Sequence, residues 1–244
     1  MRVIVFDIWG DYAHFRRFYT TTSPITFSLP PPPTVLGLIG AIIGLGKNEY
    51  LKVLNYTSTY VGIRLLKPVK KIRMGINLIN TKSNIWWLKE RREGARTPTR
   101  FEFLKEPAFR IYFYHKSKEI MARLEENLKA HKSFFTPCLG LSELLADFKL
   151  VGVFTTEKGR EKEAEISSAI VVNNIAEGGI KLEEGKKYLK ETLPLVMDEE
   201  RKVLSYEDVI FEGEGKSITA RLNQWFILEN GEAFCFLTTP FPSR

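Results

Sequence analysis

Three groups of residues have types and spacings that could do chemistry or hold a charged partner. Tyr114-His115-Lys116 is the one compact set with the residue types of a metal-independent ribonuclease, which needs a general base and a general acid. On an extended strand, alternation sends Tyr114 and Lys116 to one face and His115 to the other, a poor arrangement for a concerted step. The second group is a basic segment, KPVKKIRMGINLINTKSNIWWLKERREGARTPTRFEFLKEP, from Lys67 to Pro107. Its cations Lys70, Lys71, Arg73, Lys82, Lys89, Arg91, Arg92, Arg96 and Arg100 are interleaved with Trp86, Trp87, Phe101 and Phe103. Cations neutralise phosphates and flat rings stack on bases, so this mixture suits single-stranded RNA; the alternative is a solvated hairpin whose rings fold back on the core. The third group is Arg16 and Arg17 in an aromatic loop, followed by Thr20, Thr21 and Thr22. Guanidinium forks and hydroxyls are phosphate ligands, and equally salt-bridge formers.

The charge distribution sharpens the second group. Between Arg64 and Lys105 there are twelve Lys/Arg and three acids, Glu90, Glu93 and Glu102, in a chain of net charge +7. The remainder is therefore slightly acidic, and the basic character sits in one segment. That permits a polyanion partner.

Several function classes lack support. A phosphate-binding loop needs Gly-x-x-x-x-Gly-Lys-Ser/Thr. Before Gly46-Lys47 the required first glycine is Ala41, and Asn48 replaces the hydroxyl; before Gly215-Lys216-Ser217 the first position is Ile210. Two distant cysteines, Cys138 and Cys235, and three histidines, His14, His115 and His131, give no metal-ligand spacing and no disulfide framework. We therefore expect no cofactor, no metal and a reducing, cytoplasmic setting. The most apolar run, Thr34 to Gly46, is shorter than the roughly 20 residues of a spanning helix. MRVIVFDIWG reads as a strand rather than a signal peptide.

The elements that must position these groups follow from pattern. Met1–Ile8, Tyr56–Leu66, Ala108–Tyr114 and Phe148–Thr155 read as strands. Pro30 to Pro33 followed by Thr34 suits a helix start, with Thr34 capping a helix that runs to Leu45. Gly37, Gly40 and Gly44 share one face of that helix, which implies tight packing on a sheet or, in a sharper reading, close contact near the helix start with a nucleic-acid strand or a partner subunit as well. Ser117–Lys132 is an amphipathic helix with Ile120, Leu124 and Leu128 on its apolar stripe. The order β-α-β, excursion, β-α-β predicts an α+β fold: a ferredoxin-like domain over 1–155 with a projecting β-hairpin at about 67–107. It is also the layout of RNA-recognition folds, whose sheet and loops present aromatics and cations. A smaller β-rich part is expected over 156–244, with strands at Ser168–Asn173, Asp208–Glu212, Thr219–Leu228 and Ala233–Leu237.

FRRFYTTTSPITFSLPPPPTVLGLIGAIIGLG, Phe15 to Gly46, resembles the opening signature of the CRISPR-associated Cas-five family: an Arg-containing aromatic loop, a Thr/Pro stretch, then a Gly-rich apolar helix. TPCLGLSELLADF, Thr136 to Phe148, resembles that family's second motif. The resemblance implies a repeat-associated RAMP protein with a thumb hairpin. It also implies a place at the foot of a type I Cascade complex, gripping the 5′ handle of the CRISPR RNA beside the filament (Cas-seven) and large (Cas-eight) subunits. Target DNA would be met only indirectly, and no membrane. On this resemblance Arg16 and Arg17 become handle-phosphate ligands, and Thr34, Gly37 and Gly40 close-approach positions. Lys70 to Arg100 becomes the thumb along the guide RNA, and Gly140 a turn shaping the handle pocket. One branch of the family is a metal-independent endoribonuclease in which Lys directly precedes His. Here His115 precedes Lys116, so the resemblance implies a non-catalytic member, with the ribonuclease as the alternative.

Overall fold

The structure is a computed structural model that describes residues 1–20, 23–79 and 96–238. In chain order its elements are β1 (Arg2–Trp9), β2 (Tyr12–Ala13), α1 (Pro32–Ile43), α2 (Tyr50–Val53), β3 (Thr59–Leu65), β4 (Lys71–Ile79), β5 (Arg96–Lys105), β6 (Ala108–His115), α3 (Lys118–Lys129) and β7 (Asp147–Lys158). There follow β8 (Glu163–Ile166), β9 (Ile170–Val171), β10 (Ile175–Ile180), β11 (Tyr188–Met197), β12 (Val203–Glu212), β13 (Ile218–Leu222), β14 (Phe226–Leu228) and β15 (Ala233–Phe234). The fold is α+β, with far more strand than helix.

The central sheet has six strands in the order β15-β14-β7-β1-β6-β3. β1 is antiparallel to both β6 and β7, and β3 is antiparallel to β6. The two β-α-β stretches therefore interleave, each lending a strand to the middle of the sheet. The near-continuous apolar run of β1 reflects burial on both faces. Ile4, Phe6 and Ile8, with Phe109, Ile111 and Phe113, pack under Ile39, Ile42 and Ile43 of α1 and Leu124 and Leu128 of α3. Position 155, where the sequence reading divides the chain, lies inside β7, and β14 and β15 extend the same sheet.

Helix α1 starts two residues earlier than expected. Proline has no N–H to orphan and a pre-set φ, so Pro32 and Pro33 occupy the first turn themselves. Thr34 is thus not the cap: its side chain makes no capping hydrogen bond, and its backbone N–H donates to the Pro31 carbonyl at 2.9 Å. The helix ends at Gly44, whose left-handed φ of 79° suits glycine. Helix α3 begins as expected, with the Ser117 hydroxyl accepting from the Ile120 N–H. No helix among the described residues is long and apolar enough to cross a membrane.

The second face of the sheet is covered by the chain's own C-terminal region. Val3, Val5 and Tyr112 lie under Phe226, Leu228, Phe234 and Phe236. The Tyr112 ring stacks on Phe234 at 4.4 Å and 11°. Leu237 then donates its N–H to the Val61 carbonyl at 2.8 Å, laying the segment along β3. Tyr112 on this face of the sheet is thus used within the core.

One carboxylate anchors that cover. Glu232 accepts from Tyr112 Oη at 2.6 Å and pairs with Arg64 at 2.5 Å and Arg110 at 3.4 Å. Arg110 also forks onto Asp7 at 2.8 and 3.1 Å, which holds its pKa above the usual arginine range. Glu232→Ala leaves two mostly buried guanidinium groups short of a partner. We expect it to cost about 3 kcal/mol in denaturant unfolding, whereas a change below ~0.5 kcal/mol would show the network to be dispensable.

Candidate nucleic-acid interface

The basic segment forms an amphipathic ribbon. β4 pairs with β5, and the short β2 completes a three-stranded sheet in the order β2-β5-β4. The register places Lys71 opposite Leu104, Arg73 opposite Glu102, Gly75 opposite Arg100 and Ile79 opposite Arg96. Residues directly opposite share a face, and alternate residues along a strand share it too. Lys71, Arg73, Arg96 and Arg100 therefore lie on one face with Glu102. Ile72, Met74, Ile76, Leu78, Phe101 and Phe103 lie on the other.

The apolar face roots the ribbon in the body. Phe101 and Phe103 are buried, with ring centroids 5.2 and 5.5 Å from His14, and Phe103 meets Tyr12 at 6.3 Å. These two phenylalanines are thus not free to stack on bases, against the expectation from their place among the cations. The cationic face stays open: Arg73 lies 3.7 Å from Glu102 yet is 65% exposed. Lys70 lies 3.8 Å from Glu106 across an exposed pair, and Arg96 and Arg100 are exposed. Lys82, Trp86, Trp87, Lys89, Arg91 and Arg92 lie outside the described residues.

At the ribbon's root a cleft is lined by Arg17, Ser28, Lys71, Lys187, Lys190, Glu191 and Glu214, among others. Its organising group is Glu191, buried on β11. One carboxylate oxygen accepts from the Ser28 N–H at 2.8 Å; the other accepts from the Ser28 hydroxyl at 2.8 Å and from Arg17 Nη2 at 2.5 Å. Lys71 stands 3.9 Å from Glu191 and 3.5 Å from Glu102. Arg17 also donates to the Thr26 carbonyl at 3.2 Å and to Tyr19 Oη at 2.8 Å. Burial works against its charge, but the Tyr19 hydroxyl and Glu191 carboxylate outweigh it and raise the pKa. Arg17 is therefore committed to holding its loop in place, while Arg16 is exposed and spends one nitrogen on the Thr20 carbonyl at 2.9 Å.

Lys187 and Lys190 were not foreseen. They come from a stretch that is not basic overall and reach the cleft only because β11 pairs with β12 beside the aromatic loop. No local signal marks them. Their carboxylate partners, Glu214 at 2.8 Å and Asp208 at 2.6 Å, form pairs in which the lysines are mostly exposed. Such pairs hold weakly and can exchange a carboxylate for a phosphate.

The glycines named from sequence have internal roles. A methyl group at Gly40 would come 2.9 Å from Tyr50 Cβ, and at Gly37 the Tyr50 ring stands 3.8 Å away. The protein element that approaches α1 closely at these two glycines is thus α2, through Tyr50, and not a sheet. Gly140, with φ of 101°, is pressed against the His14 carbonyl, where any side chain would overlap. The His14 N–H donates to the Leu139 carbonyl at 3.0 Å, so the second motif braces the loop that carries Arg16 and Arg17.

Both ring nitrogens of His115 are engaged. Its Nδ1 accepts from the Ser117 N–H at 2.9 Å, so Nε2 carries the proton and donates to the Val53 carbonyl and Ser58 hydroxyl, each at 3.1 Å. Burial lowers its pKa, and it lowers that of His14 too. Tyr114 packs edge-on against Tyr60 at 5.4 Å. Among the described residues no cluster of three His, Cys, Asp or Glu is placed to hold a metal ion.

Two outcomes follow from this geometry. Both histidines take a proton less readily folded than unfolded, so their contribution to stability is complete above their ordinary value of 6.5 and is lost as pH falls below it. The unfolding midpoint should drop between about pH 7 and pH 5, and the drop should shrink in His115→Gln; an unchanged drop would contradict the assignment. Glu191→Gln removes the countercharge of Arg17 and Lys71. It should cost about 2 kcal/mol of stability and tighten binding of heparin, whereas weaker heparin binding would show that Glu191 does not restrain those cations.

Similarity to known proteins agrees with these features. The family model described as CRISPR-associated protein (Cas_Cas5) matches residues 3–213. A CRISPR protein from Archaeoglobus fulgidus superposes with a TM-score of 0.55 at 15% identity, over 96% of this chain and 97% of that one. A chain of a CRISPR RNA-guided surveillance complex superposes with a TM-score of 0.53 at 13% identity, over 88% and 91%. At such identities the two structures speak to fold alone. No protein of curated function matches significantly. The matched span takes in β1, β3, β6 and β7 of the central sheet, the ribbon, the aromatic loop and β11–β12, so the family suggested by Phe15–Gly46 is the family shown: the chain belongs to the CRISPR-associated Cas5 proteins.

Proposed function

We propose that this protein is a non-catalytic CRISPR RNA-binding subunit of a type I, Cascade-like surveillance complex, and that it caps the 5′ handle of the guide RNA. Membership of the Cas5 family supports a place in CRISPR defence. The interleaved strand order supports reading the core as ferredoxin-like, with β4–β5 as the thumb. The observation that carries the reading is the ribbon's segregated face. Lys71, Arg73, Arg96 and Arg100 point one way and lead to a cleft that adds Lys187 and Lys190. A row of exposed cations ending in a cleft is what an RNA backbone requires.

In this reading the filament and large subunits of the complex are its protein partners, in the cytoplasm, and target DNA is reached only through the guide. The reading also carries no chemistry. Both ring nitrogens of His115 are spent on backbone and serine groups, which supports a structural role over a general base.

If about six phosphates are neutralised, log affinity should fall with log salt at a slope of roughly −4. Arg73→Ala, Arg96→Ala and Arg100→Ala together should flatten that slope by about 2; an unchanged slope removes the ribbon from the interface. Repeat RNA incubated with the protein should stay intact on a denaturing gel. Cleavage that disappears in His115→Ala would establish the endoribonuclease instead.

A further inference from the structure

The loop beyond Arg17 carries rings that the core does not use. Phe18 is 58% exposed and Tyr19 56%, and Tyr206 of β12 is 43% exposed. The three form one cluster: Phe18 lies 5.0 Å from Tyr19 at 87° and 4.7 Å from Tyr206 at 49°. Burying a large ring is strongly favourable, so three rings that touch one another and still face solvent mark a surface meant to be covered.

The register shows what surrounds them. Tyr206 pairs with Pro194, Asp208 with Thr192 and Ile210 with Lys190. By strand alternation Tyr206 and Lys190 share one face of the β11–β12 ribbon, about 13 Å apart along it. Lys190 lines the cationic cleft. Arg17 joins the two regions, since it lines the cleft and donates to Tyr19 Oη. Arg16, exposed in the same loop two residues before Phe18, donates to the Thr20 carbonyl at 2.9 Å and brings a further cation to this loop. An aromatic platform continuous with a groove of cations meets both halves of a nucleotide: phosphate in the groove, base on the rings. A protein partner would call for the rings alone and leave the cations unexplained.

We propose that Phe18, Tyr19 and Tyr206 form a stacking shelf for one unpaired base of single-stranded RNA whose phosphates lie against Lys71, Lys187 and Lys190, with Arg16 contacting the backbone at the shelf. The proposal rests on the RNA-binding reading and adds to it the place where a base leaves the strand.

The test uses the full chain and a short single-stranded RNA carrying one fluorescent purine, moved along the sequence position by position. One position should show strong quenching on binding, as a stacked base does. Phe18→Leu with Tyr206→Leu keeps apolar bulk and removes the rings. It should abolish that quenching and weaken affinity roughly fivefold to a hundredfold, with the salt slope unchanged. Tyr206→Phe keeps the ring and should retain both affinity and quenching, which separates stacking from misfolding. If the wild type binds RNA and the double variant binds and quenches as well as it does, the shelf is overturned and the RNA reading survives. If the wild type binds no RNA at all, the RNA reading fails and the shelf with it. If the double variant keeps full RNA affinity and quenching but loses a co-purifying protein, the patch belongs to that protein and the shelf is overturned.

Discussion

The Tyr112 ring lies flat on Phe234, with Glu232 gathering the Tyr112 hydroxyl and two arginines at the same place. Much of the rest of the molecule depends on this contact. A four-strand core with helices on one side leaves a second apolar face that water would otherwise meet. Here β14, β15 and the segment through Thr238 return across more than sixty residues to cover it. The fit is close: at Gly62 a single methyl group would come 2.7 Å from the Cys235 carbonyl. Burial of several aromatic rings contributes on the order of 2 kcal/mol each, and the ion-pair network fixes which strand meets which. This face of the sheet is thereby spent on stability, and the proposed RNA contacts fall on the segments that leave it.

Those segments are the aromatic loop, the β4–β5 ribbon and the β11–β12 ribbon. The ribbon shows how one alternation serves both demands. One face carries Phe101 and Phe103, which pack on His14 and Tyr12 near the root, and the other carries Arg73, Arg96 and Arg100, which stay in water. The same economy appears at Glu191. Burying Arg17 without a countercharge would cost several kcal/mol, and a carboxylate beneath a cationic cleft keeps the loop ordered before any ligand arrives. The cleft is thus pre-organised, which lowers the entropy lost on binding.

The legible parts of the sequence were those governed by local pattern. The run in Met1–Ile8, the stripe of Ile120, Leu124 and Leu128, and the strand at Ala108–Tyr114 correspond to β1, α3 and β6. Concentration of charge between Arg64 and Lys105 identified the ribbon, and Phe15–Gly46 identified the family. What escaped were relations between distant residues. Nothing near Arg17 announces a carboxylate 174 positions away, and the partner of Gly40 is a tyrosine on the next helix. Strand β11 was missed because Lys190, Glu191 and Pro194 interrupt its apolar pattern, and the pairing register shifts between Pro194 and Val196, where proline has no N–H to give. The phenylalanines of β5 misled because composition does not say which face of a strand a ring takes.

The central claim is that RNA meets the loop and ribbon side of this molecule and never the sheet. Ultraviolet crosslinking of the protein to single-stranded RNA, with the attached peptides mapped by mass spectrometry, tests it most directly. The account expects adducts within 12–20, 71–79, 96–105 and 187–206. Adducts concentrated on the peptides that carry Tyr112, Phe234 and Phe236 would contradict it, because those rings can touch a base only if the C-terminal cover lifts away.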